Sequence, residues 1–277
     1  MKTTVIVTTY NRPDALAAVL EGYCVQSDRD FSLVVADDGS TKDTAEVVQR
    51  FVRRDGMRLT HVWQEDRGFR AAAIRNRAIA STNADYLVFT DGDCIPSHDF
   101  VKAHKALAEP GYFLGSNRVL LGDAFSHRVL REQIPVHRWG WREWAKAWMR
   151  RDVNRLLPLL SLPDGAFRKG ASSRWEGIKT CNFSAWRSDL VHVNGLDESY
   201  EGWGLEDSDL VIRLIHAGVK HKNARCAAPV FHLWHHEQDR RYLPENQKRL
   251  DELLQSTMIR AAAGLDQYGP VGLDGQG

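Results

Sequence analysis

The stretch Tyr86-Leu87-Val88-Phe89-Thr90-Asp91-Gly92-Asp93 places an apolar, β-prone run directly before two carboxylates. Such a run reads as a buried strand. In an open α/β sheet, side chains at the carboxyl ends of strands face the crevice where ligands bind. Two like charges in one small site repel, and a cation is needed to hold both ionised. A divalent metal with hard oxygen ligands meets that need, and it is also the usual means of holding a diphosphate.

Working outward toward the N-terminus, the same strand-then-loop grammar recurs. Thr3–Thr8 is β-branched and apolar, and Arg12-Pro13-Asp14 opens a helix with Pro at an early position. Phe31–Ala36 is a second strand ending in Asp37-Asp38-Gly39-Ser40, with Ser40 or Thr41 expected to cap the next helix. Met57–Gln64 predicts a third strand and Gly68–Ser81 a third helix, rich in Ala and Arg. Strands alternating with helices predict an α/β fold with a mostly parallel central sheet flanked by helices. Right-handed crossovers then gather Thr8–Asn11, Asp37–Ser40, Glu65–Arg70 and Asp91–Asp93 on one edge.

Beyond Asp93 the grammar loosens. Ser97–Glu109 predicts a helix capped by Ser97, Tyr112–Leu121 a strand, and Ile134–Leu160 a helical, aromatic and basic stretch. Lys179–Trp186 reads as a strand, Leu205–Ala217 as an amphipathic helix stopped by Gly218, Lys220–Phe231 as extended chain, and Glu245–Ala263 as a final helix. This divides a single domain into residues 1–120, a helical insertion over 121–178, a second half over 179–263, and a Gly-rich tail over 264–277 expected to be mobile.

Composition narrows the class. The chain has 277 residues, with 37 Lys and Arg against 36 Asp and Glu. That near balance argues against a nucleic-acid-binding module, although the charge is unevenly spread. Residues 128–179 hold twelve Lys or Arg, five Asp or Glu and five of the nine tryptophans. No apolar run reaches the roughly 18 residues of a membrane span, and the N-terminus lacks a signal peptide pattern. The four cysteines, Cys24, Cys94, Cys181 and Cys226, have no paired spacing. They read as thiols in a reducing, cytoplasmic compartment.

Four motifs carry chemistry, each with a plainer reading beside it. Asp37–Ser40 could be only a turn, or it could offer a carboxylate to the imide N–H of uracil, with Tyr10 stacking on the base. Gly68-Phe69-Arg70 and Arg75-Asn76-Arg77 could be a solvated basic helix face, or a helix start that meets an anion. Gly202-Trp203-Gly204-Leu205-Glu206-Asp207-Ser208-Asp209 could be an acidic helix start. That account explains the acids, but not a glycine-flanked tryptophan, whose flat face suits a sugar ring. Phe231-His232-Leu233-Trp234-His235-His236-Glu237 spaces His232 and His235 by three; they could be surface histidines only, or either or both could complete a metal site.

Taken together these segments resemble the family 2 glycosyltransferases of the GT-A fold. Val5–Pro13, Asp37–Ser40, Gly68–Arg77 and Asp91–Asp93 match that family's nucleotide motifs. Gly195–Glu198 through Gly202–Asp209 is similar to the acceptor motif of β-1,4-galactosyltransferases and chondroitin-type polymerases. The resemblance covers roughly residues 3–120 and 178–237. It implies nucleotide contacts by Thr8, Tyr10, Arg12, Asp38, Arg70 and Asp91. It implies a Mn²⁺ or Mg²⁺ site at Asp93, His235 and His232, the last replacing a Met of the animal enzymes. Asp207 would be the catalytic base, with Glu206, Trp203 and Gly204 at the acceptor. The implied reaction is inverting transfer from a UDP-sugar to a hydroxyl of a saccharide or lipid-linked saccharide, in surface polysaccharide or lipopolysaccharide synthesis.

The alternative is a metal-dependent hydrolase built on the His232–Glu237 cluster; a non-catalytic nucleic-acid-binding module ranks below it. The tryptophans and cations of residues 127–160 allow two further readings, a helix packed on the main body or a peripheral contact with anionic membrane.

Overall fold

The computed structural model describes residues 1–54, 56–170, 173–236 and 239–269. Its first half follows the expected alternation: β1 (Thr3–Thr9), α1 (Pro13–Cys24), β2 (Ser32–Asp37), α2 (Lys42–Val52), β3 (Leu59–Trp63), α3 (Ala71–Ala80) and β4 (Tyr86–Asp91). All four strands are mutually parallel in the order β3-β2-β1-β4. The register sets Thr8 opposite Asp91 on one side and Ala36 on the other, so the strand ends do share an edge.

Side-chain alternation explains the layering. Val5, Val7, Leu33, Val35 and Val88 pack on one face with α1 and α2. Ile6, Val34, Ala36, Leu87 and Phe89 pack on the other with α3. Strand residues two apart share a face, and both faces here are apolar because helices cover both.

The second half departs from expectation where strand pairing is non-local. Tyr112–Leu121 is two strands in different sheets, β6 (Tyr112–Gly115) and β7 (Arg118–Leu120). The strand expected over Lys179–Trp186 is β8 (Asn182–Trp186); it runs antiparallel between β4 and β6, and β9 (Lys220–Asn223) closes the edge. A smaller sheet forms from β5 (Cys94–Pro96), β10 (Val230–His232) and β7. Ser97 does not cap a helix: its N–H bonds the Pro229 carbonyl, continuing the sheet, and α4 (Phe100–Leu107) begins after Asp99. Thr41 stands at the α2 cap position without a hydroxyl bond, while the Ser40 hydroxyl accepts the N–H of Asn11.

Ile134–Leu160 is not one helix. Pro135 and Gly140 interrupt it, and Arg151 turns at φ 62°, leaving the nine residues of α6 (Trp141–Met149). The chain also forms α5 (Asp123–Arg131) and α7 (Arg187–His192), before α8 (Glu206–His216) and α9 (Leu243–Leu254), the latter shorter than its pattern suggested. The tail expected over 264–277 begins with packed chain: Leu265 is buried and the Tyr268 hydroxyl donates to Glu198 at 2.8 Å. Residues 270–277 lie outside the described residues. Among the described residues no helix is long and apolar enough to cross a membrane, and the four cysteines carry no disulfide.

Candidate active site

The β4 end narrows at Gly92. A Cβ there would lie 2.8 Å from Thr9 Oγ1 and 3.2 Å from the Thr8 carbonyl, so only glycine lets the turn between Asp91 and Asp93 press against β1. The two carboxylates then diverge into different surroundings.

Asp91 turns toward α3. Its Oδ1 accepts a hydrogen bond from Arg75 Nη2 at 3.1 Å. Arg75 also donates from Nε to the Thr8 hydroxyl at 3.1 Å and from Nη1 to Glu206 Oε1 at 3.3 Å, and stands 3.7 Å from Asp207 Oδ1. Arg75, for which a solvated basic face is one of two readings, is therefore buried at the junction of the two halves. Its signal was present in the sequence: Ala71, Ala72, Ala78 and Ile79 surround Arg75 on the helix surface, and a charge on an apolar helix face must be paired. Burial opposes the Arg75 charge, and Asp91, Asp207 and Glu206 more than offset it, leaving the group firmly protonated. Burial pushes Asp91 up, as do the charges of Asp93 and Asp207, against the pull of Arg75.

Glu206 and Asp207 open α8 from a tight loop. Gly202 has φ 65° and a Cβ on it would meet Tyr242 at 2.4 Å; Leu205, just before the helix, also takes a left-handed φ of 76°. The Asn246 side chain ties the loop down by donating to the carbonyls of Glu201 and Gly204. Trp203 in this loop lies under Arg240, 5.3 Å from the ring centre. Burial, then the neighbouring Asp207 charge, push Glu206 up to about 7. Asp207 Oδ1 accepts the hydroxyl of Thr180, a buried residue just before β8 that the sequence reading passed over. Its Oδ2 carries no hydrogen bond among the described residues.

Asp93 turns toward the small sheet. The β5–β10 pairing sets His232 opposite Cys94, and the Leu233 N–H bonds the Asp93 carbonyl at 2.9 Å. His232 Nε2 lies 3.7 Å from Asp93 Oδ1 and His235 Nε2 3.5 Å from Oδ2. Burial pushes His232 down to about 4, so its ring is neutral near pH 7. His235 Nδ1 lies 2.7 Å from the His236 carbonyl, which can only accept. Nδ1 therefore donates to that carbonyl and leaves Nε2 facing Asp93, the arrangement by which an outer hydrogen bond orients a metal-ligating histidine. One carboxylate and two imidazoles thus converge, a donor set that fits a divalent ion. The Cys94 thiol stands 3.6 Å from Asp93 Oδ1, and Cys94, Asp91 and Cys181 also cluster; sequence spacing gave no hint of either grouping.

The nucleotide-side residues sit along the same edge. Asp38 is buried; its Oδ1 accepts from Gln64 at 2.5 Å and its Oδ2 from the Arg70 N–H at 2.7 Å, which satisfies the start of α3. Burial raises Asp38 while those two bonds pull it down. A carboxylate has lone pairs for further donors. Asp37, the last residue of β2, braces the following turn by holding Ser40 N–H and His61. Tyr10 is 45% exposed, with its hydroxyl on Asp66, so its ring is open to a partner. Arg12 pairs with Asp14 at 3.5 Å, and Arg70 Nη2 donates to the Glu65 carbonyl. The basic-face reading holds no better for Asn76, whose side chain bonds the Leu196 backbone and Glu198. Glu237 lies outside the described residues.

Residues 4–168 match the model for glycosyl transferase family 2, and residues 166–237 match that for the N-terminal domain of galactosyltransferase. Among curated proteins, the chain is 30% identical over 231 residues to validoxylamine A glucosyltransferase of Streptomyces hygroscopicus subsp. jinggangensis, covering 78% of this chain and 51% of that protein. It is 24% identical to the chondroitin synthase of Escherichia coli, over 80% of this chain and 33% of the synthase. The chain thus spans about half or less of the length of these relatives. Among solved structures, S. aureus TarS 1-349 in complex with UDP superposes with a TM-score of 0.63 at 15% identity, covering 98% of this chain and 69% of that one. The mannosyltransferase PcManGT from Pyrobaculum calidifontis, in complex with GDP-Man and Mn²⁺, superposes at 0.59 with 21% identity, covering 92% and 62%. At those identities the likeness speaks for the fold, which is the GT-A arrangement expected from the sequence.

Proposed function

This chain belongs to glycosyl transferase family 2, and from that premise we propose that it transfers galactose, N-acetylgalactosamine or N-acetylglucosamine from a UDP-sugar to a saccharide hydroxyl, with inversion. Surface polysaccharide or lipopolysaccharide synthesis is the setting we propose. The observation that carries this reading is the shared edge: the Asp93–His232–His235 donor set lies next to the Arg75 junction that holds Asp207 and Glu206. Mn²⁺ or Mg²⁺ held by Asp93, His232 and His235 would supply charge neutralisation for the departing diphosphate.

The chain's own groups do the rest. Asp38 accepts the imide N–H of uracil, Tyr10 covers the base, and Thr8, Arg12, Arg70 and Asp91 line the nucleotide. Trp203 and Gly204 seat the acceptor ring, which shortens the approach of its hydroxyl. Oδ2 of Asp207 takes the hydroxyl proton as the acceptor oxygen bonds to the anomeric carbon and the bond to the diphosphate breaks. Thr180 fixes the other oxygen, so the base points one way. Glu206, held by Arg75, orients the acceptor.

A nucleotide-release screen over UDP-, GDP- and dTDP-sugars, with Mn²⁺ and Mg²⁺, tests the proposal. Release of UDP above all others, dependent on the ion, is the expected result. A preference for GDP- or dTDP-sugars would overturn the role given to Asp38.

A further inference from the structure

The tryptophans around α6 divide between two environments. Trp139 stacks on Phe125 with ring centres 5.5 Å apart and meets Trp144 edge-on at 5.0 Å. Trp144 in turn stacks on Phe231 at 4.4 Å, one residue before His232. This aromatic chain fastens the helix to the small sheet. Trp141 and Trp148 take no part in it. They are seven residues apart, hence on one helix face, and are 56% and 52% exposed; Met149 beside them is 69% exposed.

Next to that apolar arc, in order around the helix, come Arg142, Lys146 and Arg150, all exposed, with Arg138 and Arg151 at the two ends. Between residues 138 and 151 the one carboxylate is Glu143. It is turned back to accept the Gly140 N–H at 3.0 Å, capping the helix rather than neutralising it. None of the five cations has an ion pair with a carboxylate among the described residues, in contrast to Arg128 and Arg131 just upstream. Two exposed indoles beside an uncompensated cationic arc match an anionic bilayer surface. Indole rings settle at headgroup depth, and guanidinium and ammonium groups meet lipid phosphates.

We propose that α6 docks this protein on an anionic lipid bilayer, with Trp141, Trp148 and Met149 entering the interface and Arg142, Lys146 and Arg150 bound to its charge. Charge complementarity selects this occupant over a second copy of the chain, whose identical face would set cation against cation. The stack from Trp144 to Phe231 would then hold the metal-side strand at a fixed height above the lipid. The inference does not depend on which nucleotide or sugar is used.

Flotation with phosphatidylcholine vesicles, with and without phosphatidylglycerol, tests it. Binding is expected only to the anionic vesicles, weakened by high salt. Trp141→Ala with Trp148→Ala should abolish it. Arg142→Glu with Lys146→Glu should lower partitioning on the order of fivefold or more per charge. Both double variants alter exposed residues, and an unchanged melting temperature would confirm their fold. No flotation with either vesicle, equal flotation with both, or binding that survives both double variants would overturn the proposal. So would a concentration-dependent dimer abolished by the tryptophan pair without any flotation.

Discussion

Asp91 and Asp93 stand two residues apart on one strand end, yet they are compensated in opposite ways. Asp91 joins Glu206 and Asp207 around the buried guanidinium of Arg75, so that site carries its own permanent counter-charge. Asp93 faces two imidazoles and a thiol, and its histidine partner His232 is neutral near pH 7. The first cluster sets one fixed guanidinium against three carboxylates and joins the two halves of the chain. The second has the composition of a ligand set for a cation. An Arg cannot leave and a metal can, so under the proposed function the exchangeable charge belongs on the Asp93 side and the fixed charge on the Asp91 side.

Removing Asp93 should break the contrast most severely. Asp93→Ala is expected to cost on the order of 10⁴-fold in turnover, since a bound metal contributes several kcal/mol to such chemistry. Calorimetric titration with Mn²⁺ should show the lost site directly, and binding equal to the parent's would remove Asp93 from it. Asp207→Asn comes next, with kcat falling roughly 10²–10⁴-fold while Mn²⁺ and UDP binding persist. Near-parental turnover would pass the role of base to Glu206.

Arg75→Met probes the fixed side. Three carboxylates would lose a shared cation in a buried place, which costs about 3–5 kcal/mol. A urea midpoint that hardly moves would show the junction to be dispensable. The smallest expected effect is on Glu206. Its raised pKa means the folded state holds this proton more tightly than the unfolded chain does. Its contribution to stability is therefore complete below the ordinary glutamate value and lost as pH rises through about 7. Glu206→Gln should gain on the order of 1 kcal/mol over the parent near pH 8, and nothing near pH 4. An advantage that grows on acidification would reverse the sign and refute the burial argument.

Legibility followed local pattern. Strands β1 to β4 and the helices between them were readable because each is set by a local period and a turn, and repeated right-handed crossovers place β4 beside β1, with Tyr86 opposite Thr3. The antiparallel entry of β8 was not, because its partners lie about seventy to one hundred residues away. Nor was the change of sheet within Tyr112–Leu121: Gly115-Ser116-Asn117 marks a break there, but the new partner of β7 is the distant β10, with Arg118 opposite Val230. The long helix drawn through Ile134–Leu160 failed for a different reason. Its apolar and basic period holds only across α6, because Pro135 and Gly140 break the chain before it.

The amino-acid sequence by itself determined the class of the fold, the family, and which residues bear charge at the strand ends, because periodicity and strand-end motifs are short-range properties of the chain. Only the tertiary structure decided that Arg75 is the joint between Asp91 and the α8 carboxylates, that His232 reaches Asp93 through the β5–β10 pairing, and that Thr180 pins Asp207. Each of these is a meeting of segments far apart along the chain, and a carboxylate's role depends on which charges burial places beside it.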